Sequence, residues 1–161
     1  MDVYLVQHGV ACSKEQDPQR PLTDQGRGVA AKVADYLAAR ANRLIDPPIA
    51  QVRHSGKLRA RQTAEILVQA LCPQITPIAG VDMAPKDNPR TIYNELQPVR
   101  EQPGAWLLVG HLPHLAKLAG LLLTGDANKT PVRFVNAAVL KICPSDTGWA
   151  VAWYVTPDCA Q

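Results

Sequence analysis

Nothing in the sequence is long and apolar enough to cross a membrane as a helix, so a membrane-spanning chain is not expected. Met1-Asp2 is not followed by a basic segment, so no secretory signal is expected either. There is no lysine or arginine block and no interleaving of basic with aromatic residues. The formal net charge of +3 is too small to point to nucleic acid. Cysteine is sparse: Cys12, Cys72, Cys143 and Cys159 are scattered, with no Cys-x-x-Cys pair. That argues against a disulfide framework or a zinc site and for reduced thiols in a cytoplasmic protein. The glycine-rich loop of nucleotide-binding proteins is missing, as is a Gly-x-Ser-x-Gly nucleophile elbow. No internal repeat or low-complexity segment occurs.

What is present is a chain that can bury a core. Of its 161 residues, 47% are hydrophobic and 19% charged, which excludes disorder and suits one domain. That domain is expected over 1–155, with 156–161 as a loose tail. No extra apolar stripe asks for a partner, so a monomer is expected. The runs at 3–6 and 106–109 are apolar throughout and predict strands buried on both faces. Weaker strands are predicted at 49–52, 74–78, 132–135, 138–142 and 149–155, the last two joined by a hairpin over 144–148. Helices are predicted from a Thr23 cap to about Arg40, from a Ser55 cap to just before Pro73, from Pro89 to near Val99, and from Pro113 onward. Strands alternating with helices predict a three-layer α/β domain, its central sheet mostly parallel with helices on both faces.

The chemistry-bearing residues gather at element ends. His8-Gly9 follows the first apolar strand, where open α/β sheets place ligands. Two uses are open to His8: to end a strand by bonding a neighbouring carbonyl, or to face a ligand. His111 follows the second apolar strand in the same way. Lys57, Arg59 and Arg61 load the start of a helix with cations and no acid precedes Glu65, against the usual dipole preference. Two readings are open: an anion site, or three solvated surface groups whose cost the fold tolerates. Arg20 lies in a polar loop. His111-Leu-Pro-His114 is the best metal candidate but has no third ligand at a usual spacing, so His114 is expected at the surface or capping a helix. Two imidazoles and oriented guanidinium groups suit chemistry on a phosphate.

Four stretches carry a family resemblance that spans nearly the whole chain. They are Tyr4-Leu-Val-Gln-His8-Gly9, Arg20-Pro-Leu-Thr-x-x-Gly26, Ser55-x-x-x-Arg59-Ala-x-Gln-Thr63 and Val109-Gly-His111-x-Pro113. In this order they resemble the histidine phosphatase superfamily, with its phosphoglycerate mutase-like fold, and above all its small phosphohistidine phosphatases of the SixA type. The resemblance implies that His8 is the nucleophile that becomes phosphorylated. It implies that Arg59 and His111 hold the phosphoryl oxygens, with Gln7 and Gly9 beside them and Arg20 at the rim. It implies no cofactor and no metal, and a substrate that is a phosphorylated protein, phosphohistidine first, or a small phosphoester. The loop acids Asp82 and Asp87 are not assigned as proton donors.

One position departs from the pattern. Where the family carries Arg before its nucleophile, this chain has Gln7. Gln can donate to a phosphate oxygen, but it is neutral and has no fork. Two functions from different classes therefore stay open: a phosphatase, or a weakened relative that binds phosphate as a regulatory module.

Overall fold

The computed structural model describes residues 1–160. The chain runs β1 (Asp2–Gln7), α1 (Asp24–Ala38), α2 (Ala41–Leu44), β2 (Ile49–His54), α3 (Leu58–Leu71) and β3 (Ile78–Ala79). It continues through α4 (Arg90–Leu96), β4 (Ala105–Gly110), α5 (His114–Thr124), β5 (Val139–Ser145) and β6 (Gly148–Val155), and closes with a 3-10 turn, Pro157–Ala160. The six strands form one sheet in the order β3-β2-β4-β1-β5-β6. β3, β2, β4 and β1 are mutually parallel; β5 runs antiparallel to β1, and β6 antiparallel to β5.

The two wholly apolar runs are the two inner strands β1 and β4, as burial on both faces requires. Val3, Tyr4, Leu5 and Val6 are fully buried. Strand alternation sorts them. Tyr4 and Val6 join Leu107 and Val109 against α1 and α3, through Val33, Leu37, Ala64 and Leu67. Val3 and Leu5 join Leu108 and Leu140 against α4 and α5, through Ile92, Leu96, Leu115 and Leu118. Helices thus cover both faces, and the carboxyl ends of β1, β2 and β4 open along one edge.

Several boundaries differ from the sequence expectation. β2 extends through Arg53 and His54, because both pair with β4 and with β3. The strand expected at 74–78 shrinks to Ile78–Ala79. α2 stands where only a turn was expected, α1 ends at Ala38, and α4 stops at Leu96. The segment 132–135 forms no strand: Tyr154 Oη donates to the Arg133 carbonyl at 2.9 Å and accepts from the Val135 N–H at 3.2 Å, so a side chain takes ladder bonds. The strands of the hairpin run to Ser145 and Gly148, leaving Asp146-Thr147 as its turn. The tail expected to be loose instead forms the closing 3-10 turn, with Ala160 buried in the cluster beneath α1; Gln161, the last residue of that expectation, lies outside the described residues.

At the far end of the sheet, Lys141 is buried and pairs with buried Asp2 at 2.9 Å, and its Nζ also donates to the Asp46 carbonyl.

Candidate active site at the strand ends

His8 is positioned by its backbone. Its N–H donates to the Gly110 carbonyl at 3.2 Å, and its carbonyl accepts from Asn136 Nδ2 at 2.8 Å. The N–H of Gly9 donates to Thr63 Oγ1 at 3.1 Å, and that hydroxyl donates to the Arg59 carbonyl at 2.8 Å. The loop after β1 is therefore bolted to α3 one turn beyond Arg59. Gly26 secures its other flank. A Cβ there would sit 2.0 Å from the Val10 carbonyl oxygen, so only glycine lets the first turn of α1 approach so closely. Thr23 caps that helix, accepting from the Gly26 N–H at 2.9 Å as expected.

The His8 ring is oriented by two contacts. Nδ1 lies 2.6 Å from the Gly9 carbonyl oxygen, which only accepts, so Nδ1 carries the proton. Nε2 keeps its lone pair and receives Arg59 Nε–H at 3.3 Å. The ring bonds a neighbouring carbonyl through one nitrogen, the first of the two uses open to it, and its other nitrogen meets Arg59. Burial, and then the charges of Arg59 and Arg20, hold its pKa down to about 4, although the Gly9 bond opposes this. At neutral pH the ring is uncharged.

His111 lies beside it, ring centroids 4.7 Å apart and tilted by 59°. It is 2% exposed, and its Nε2 is 2.5 Å from Ser55 Oγ. Burial comes first in lowering its pKa to about 3, followed by His8, Arg59, Lys57 and His114. Arg59 has its own pKa lowered, by burial and then by Arg20. None of Arg20, Lys57 and Arg59 forms a salt bridge among the described residues; the bridges found there involve Arg53, Arg61, Arg100 and Lys141. The site therefore places Arg59 beside two neutral imidazoles with no salt bridge to it among the described residues, while Glu15 acts on the outlying Arg20; such a centre is an environment for an anion.

The structure brings His8, Gly9, Arg59 and His111 together. Arg20 is exposed, at φ +51°, with Nε on the Cys12 carbonyl at 3.1 Å, yet its charge reaches His8 and Arg59. Gln7 is half-buried, in register with Gly110, and its Oε1 is buried with no hydrogen-bond partner among the described residues.

Three expectations need correction. Ser55 does not cap α3: the N-cap is Lys57, with no side-chain capping bond, and the Ser55 hydroxyl goes to His111 instead. His114 is neither a surface residue nor a cap. It is 1% exposed and sits under the 82–87 loop, where burial lowers its pKa against the opposing pull of the Asp82 carbonyl and of Asp87 and Asp82. Arg61 turns away to Glu65, at 3.1 Å, and Lys57 is exposed like it, so of the three cations at the helix start only Arg59 is partly buried. Asn136 was missed altogether, because its segment reads as a strand edge. Thr63 carried a usable signal, since it lies four residues after Arg59 and so on the same helix face. Asp87 Oδ2 accepts from the Ala84 N–H at 2.7 Å, a loop-shaping bond. Among the described residues, no group of three or more His, Cys, Asp or Glu could hold a metal ion, and no helix is long and apolar enough to cross a membrane.

No family model and no curated protein matches the sequence. Solved structures do match its fold. The protein histidine phosphatase SixA complexed with tungstate is similar over 100% of both chains, at 24% identity and a TM-score of 0.84. The alpha-ribazole phosphatase from Shigella flexneri is similar over 98% of this chain and 97% of its own, at 14% identity and a TM-score of 0.70. A phosphoglycerate mutase from Bacillus anthracis is similar over 99% and 95%, at 13% identity and a TM-score of 0.72. The three-layer sheet is that of phosphoglycerate mutase-like proteins, and SixA phosphohistidine phosphatases share it over the full chain.

Proposed function

We propose that this protein is a phosphatase that works through a covalent phosphohistidine at His8. The observation that carries the reading is Arg59: a partly buried guanidinium with no salt bridge, 3.3 Å from the lone-pair nitrogen of a neutral imidazole. A tetrahedral oxyanion satisfies that charge and meets that lone pair at once. The similar SixA structure is described as a complex with tungstate, itself a tetrahedral oxyanion.

The chemistry follows from the contacts. The His8 Nε2 lone pair attacks phosphorus in line with the leaving group. The N–P bond forms as the bond from phosphorus to the leaving group breaks, and the leaving group departs with that electron pair. Arg59 and His111 meet the charge on the equatorial oxygens. Water then attacks phosphorus, the N–P bond breaks, its electron pair returns to Nε2, and inorganic phosphate leaves. Asn136, Thr63 and the Gly110 carbonyl keep the backbone of the nucleophile fixed throughout.

The substrate we favour is a phosphohistidine on a protein. An imidazole leaving group needs less proton donation than an alcohol, and no carboxylate pairs with the central cations. The rim supports a protein partner. Val10 follows the His8 loop, Leu112 follows His111, Ile78 and Val81 flank the end of β3, and Val135 precedes Asn136; all five are exposed. Exposed apolar residues around a charged pocket suit a macromolecular surface. A single domain without an unpartnered apolar stripe fits a monomer acting without cofactor or metal, in the cytoplasm.

One observation favours a second reading, a phosphate-binding module with little turnover: residue 7, beside the pocket, is neutral, with its Oε1 unpartnered. One experiment separates the two. The protein is incubated with a phosphohistidine protein and with a generic phosphomonoester, and phosphate release and acid-labile label on His8 are measured. The phosphatase reading expects both signals and their loss in His8→Ala. Phosphate binding with neither signal selects the module.

A further inference from the structure

Ser55 and His111 meet where β2 and β4 end, and Ser55 has no part in the mechanism above. Ser55 follows β2 directly and is 8% exposed. Its N–H donates to the Val109 carbonyl of β4 at 3.1 Å, so its backbone is tied to the strand that delivers His111. Its Oγ is 2.5 Å from His111 Nε2. The other ring nitrogen, Nδ1, is buried with no partner among the described residues.

The protons of this pair can be placed by counting. A neutral imidazole has one N–H and one lone pair, and a hydroxyl has one O–H. Suppose Nε2 held the ring proton. It would donate to Oγ, and the hydroxyl proton would then need an acceptor of its own; among the described residues Ser55 Oγ has no other hydrogen bond. Nδ1 would also turn a lone pair toward buried space, which repels an oxyanion. With the arrangement reversed, the hydroxyl donates to Nε2 and is satisfied, and Nδ1, which has no partner among the described residues, offers a proton to an anion instead of a lone pair. The ring proton then sits on Nδ1, the one nitrogen of His111 left to meet an anion.

We propose that Ser55 is a positioning residue that holds His111 as its neutral Nδ1–H tautomer, so that His111 serves a phosphoryl oxygen as an uncharged donor and gains no proton. The second half rests on the phosphatase reading above; the tautomer assignment does not. Arg59, Lys57, His8 and His114 surround the ring, so the site's positive charge comes from the guanidinium and ammonium groups, and His111 contributes direction.

The test is the ring nitrogen spectrum of His111 in isotope-labelled protein at neutral pH, without and with inorganic phosphate. Expected is a neutral ring protonated at Nδ1 in both states, with its Nδ1–H resonance displaced when phosphate is added. Ser55→Ala shifts the ring toward the Nε2–H form and lowers kcat/KM by roughly 10–100-fold, taking as guide the loss of the orienting partner of a metal-bound imidazole. Ser55→Thr, which keeps the hydroxyl, restores the tautomer and most of the rate. A merely structural Ser55 would leave the tautomer unmoved in the Ala variant, and that result overturns the proposal. So does Nε2–H in the wild type, or a doubly protonated ring once phosphate is added. An Nδ1–H ring that does not respond to phosphate overturns the oxyanion reading and the donor role, while the hold of Ser55 on the tautomer stands.

Discussion

Replacing Gln7 with arginine asks how much catalysis the neutral residue at the end of β1 forgoes. Gln7 is half-buried, in register with Gly110, with an unpartnered Oε1. A unit charge about 4 Å from an anionic oxygen is worth about 4 kcal/mol at an effective dielectric of 20. Part of this is lost to repulsion, since Arg59 and Arg20 already act on each other at the site. If about half survives in the transition state, the gain is about 2 kcal/mol, or roughly 30-fold in kcat/KM. The same crowding lowers the stability of the unliganded protein, so the thermal midpoint falls while the rate rises. The assay is phosphate release from a phosphohistidine protein, with thermal unfolding measured in parallel without and with inorganic phosphate. Phosphate recovers more stability in Gln7→Arg than in the wild type, because it neutralises the added charge. Gln7→Met is the control: it keeps the bulk and removes the amide, so a fall in rate shows that the native amide touches the anion. An unchanged rate in Gln7→Arg would refute the claim that position 7 limits the charge available to the phosphoryl group.

Three further outcomes follow from the same geometry. Because the pKa of His8 is held near 4, the acid limb of kcat/KM attributable to the nucleophile falls near pH 4 rather than 6.5; a limb at 6.5 after correction for the substrate's own ionisation contradicts this. Both His8 and His111 have folded pKa values below the ordinary 6.5, so the unfolded chain binds protons first and stability declines as pH falls from about 6.5 toward 4, as denaturant titrations at stepped pH will show. Gly26→Ala places a methyl 2.0 Å from the Val10 carbonyl oxygen; it costs about 2–3 kcal/mol in chemical denaturation and slows turnover by displacing the His8 loop.

The sequence made the centre of this site legible because each part rests on local chemistry. Two apolar runs mark inner strands, and His8 and His111 follow them directly. Lys57 and Arg59 violate the helix-dipole preference at a helix start, the kind of local conflict that marks a candidate site. Thr23 and Gly26 are a cap and a close approach, both readable from residue type. What stayed hidden depends on which segments meet in space. Ser55 looked like a cap because it precedes a helix, and only the β2–β4 pairing brings its hydroxyl to His111. His114 looked polar and therefore exposed, but α5 turns it under the 82–87 loop. Val132-Arg-Phe-Val135 has the alternation of a strand, yet Tyr154 takes its backbone bonds and frees Asn136 to hold the His8 carbonyl.

The balance of charge and rigidity explains why so few residues do so much here. A nucleophilic imidazole must be neutral to attack, yet its target is an anion that needs positive charge close by. Those demands conflict unless the imidazole is kept deprotonated beside the cations. Burial does most of this for His8, with Arg59 and then Arg20 adding to it, and leaves its lone pair available at physiological pH. In the proposed reaction the guanidinium that would attract the phosphoryl group is thus also part of what would ready the nucleophile. Its position is fixed through Thr63, which bonds the Arg59 carbonyl and the Gly9 N–H with one hydroxyl, so donor and nucleophile move as one body. Preorganisation of this kind is worth most where the charges have no carboxylate to relax onto. The absence of a salt bridge from Arg59 among the described residues is therefore part of the proposed chemistry, and the fold tolerates the repulsion because two cores, one on each face of the sheet, hold the strand ends in place.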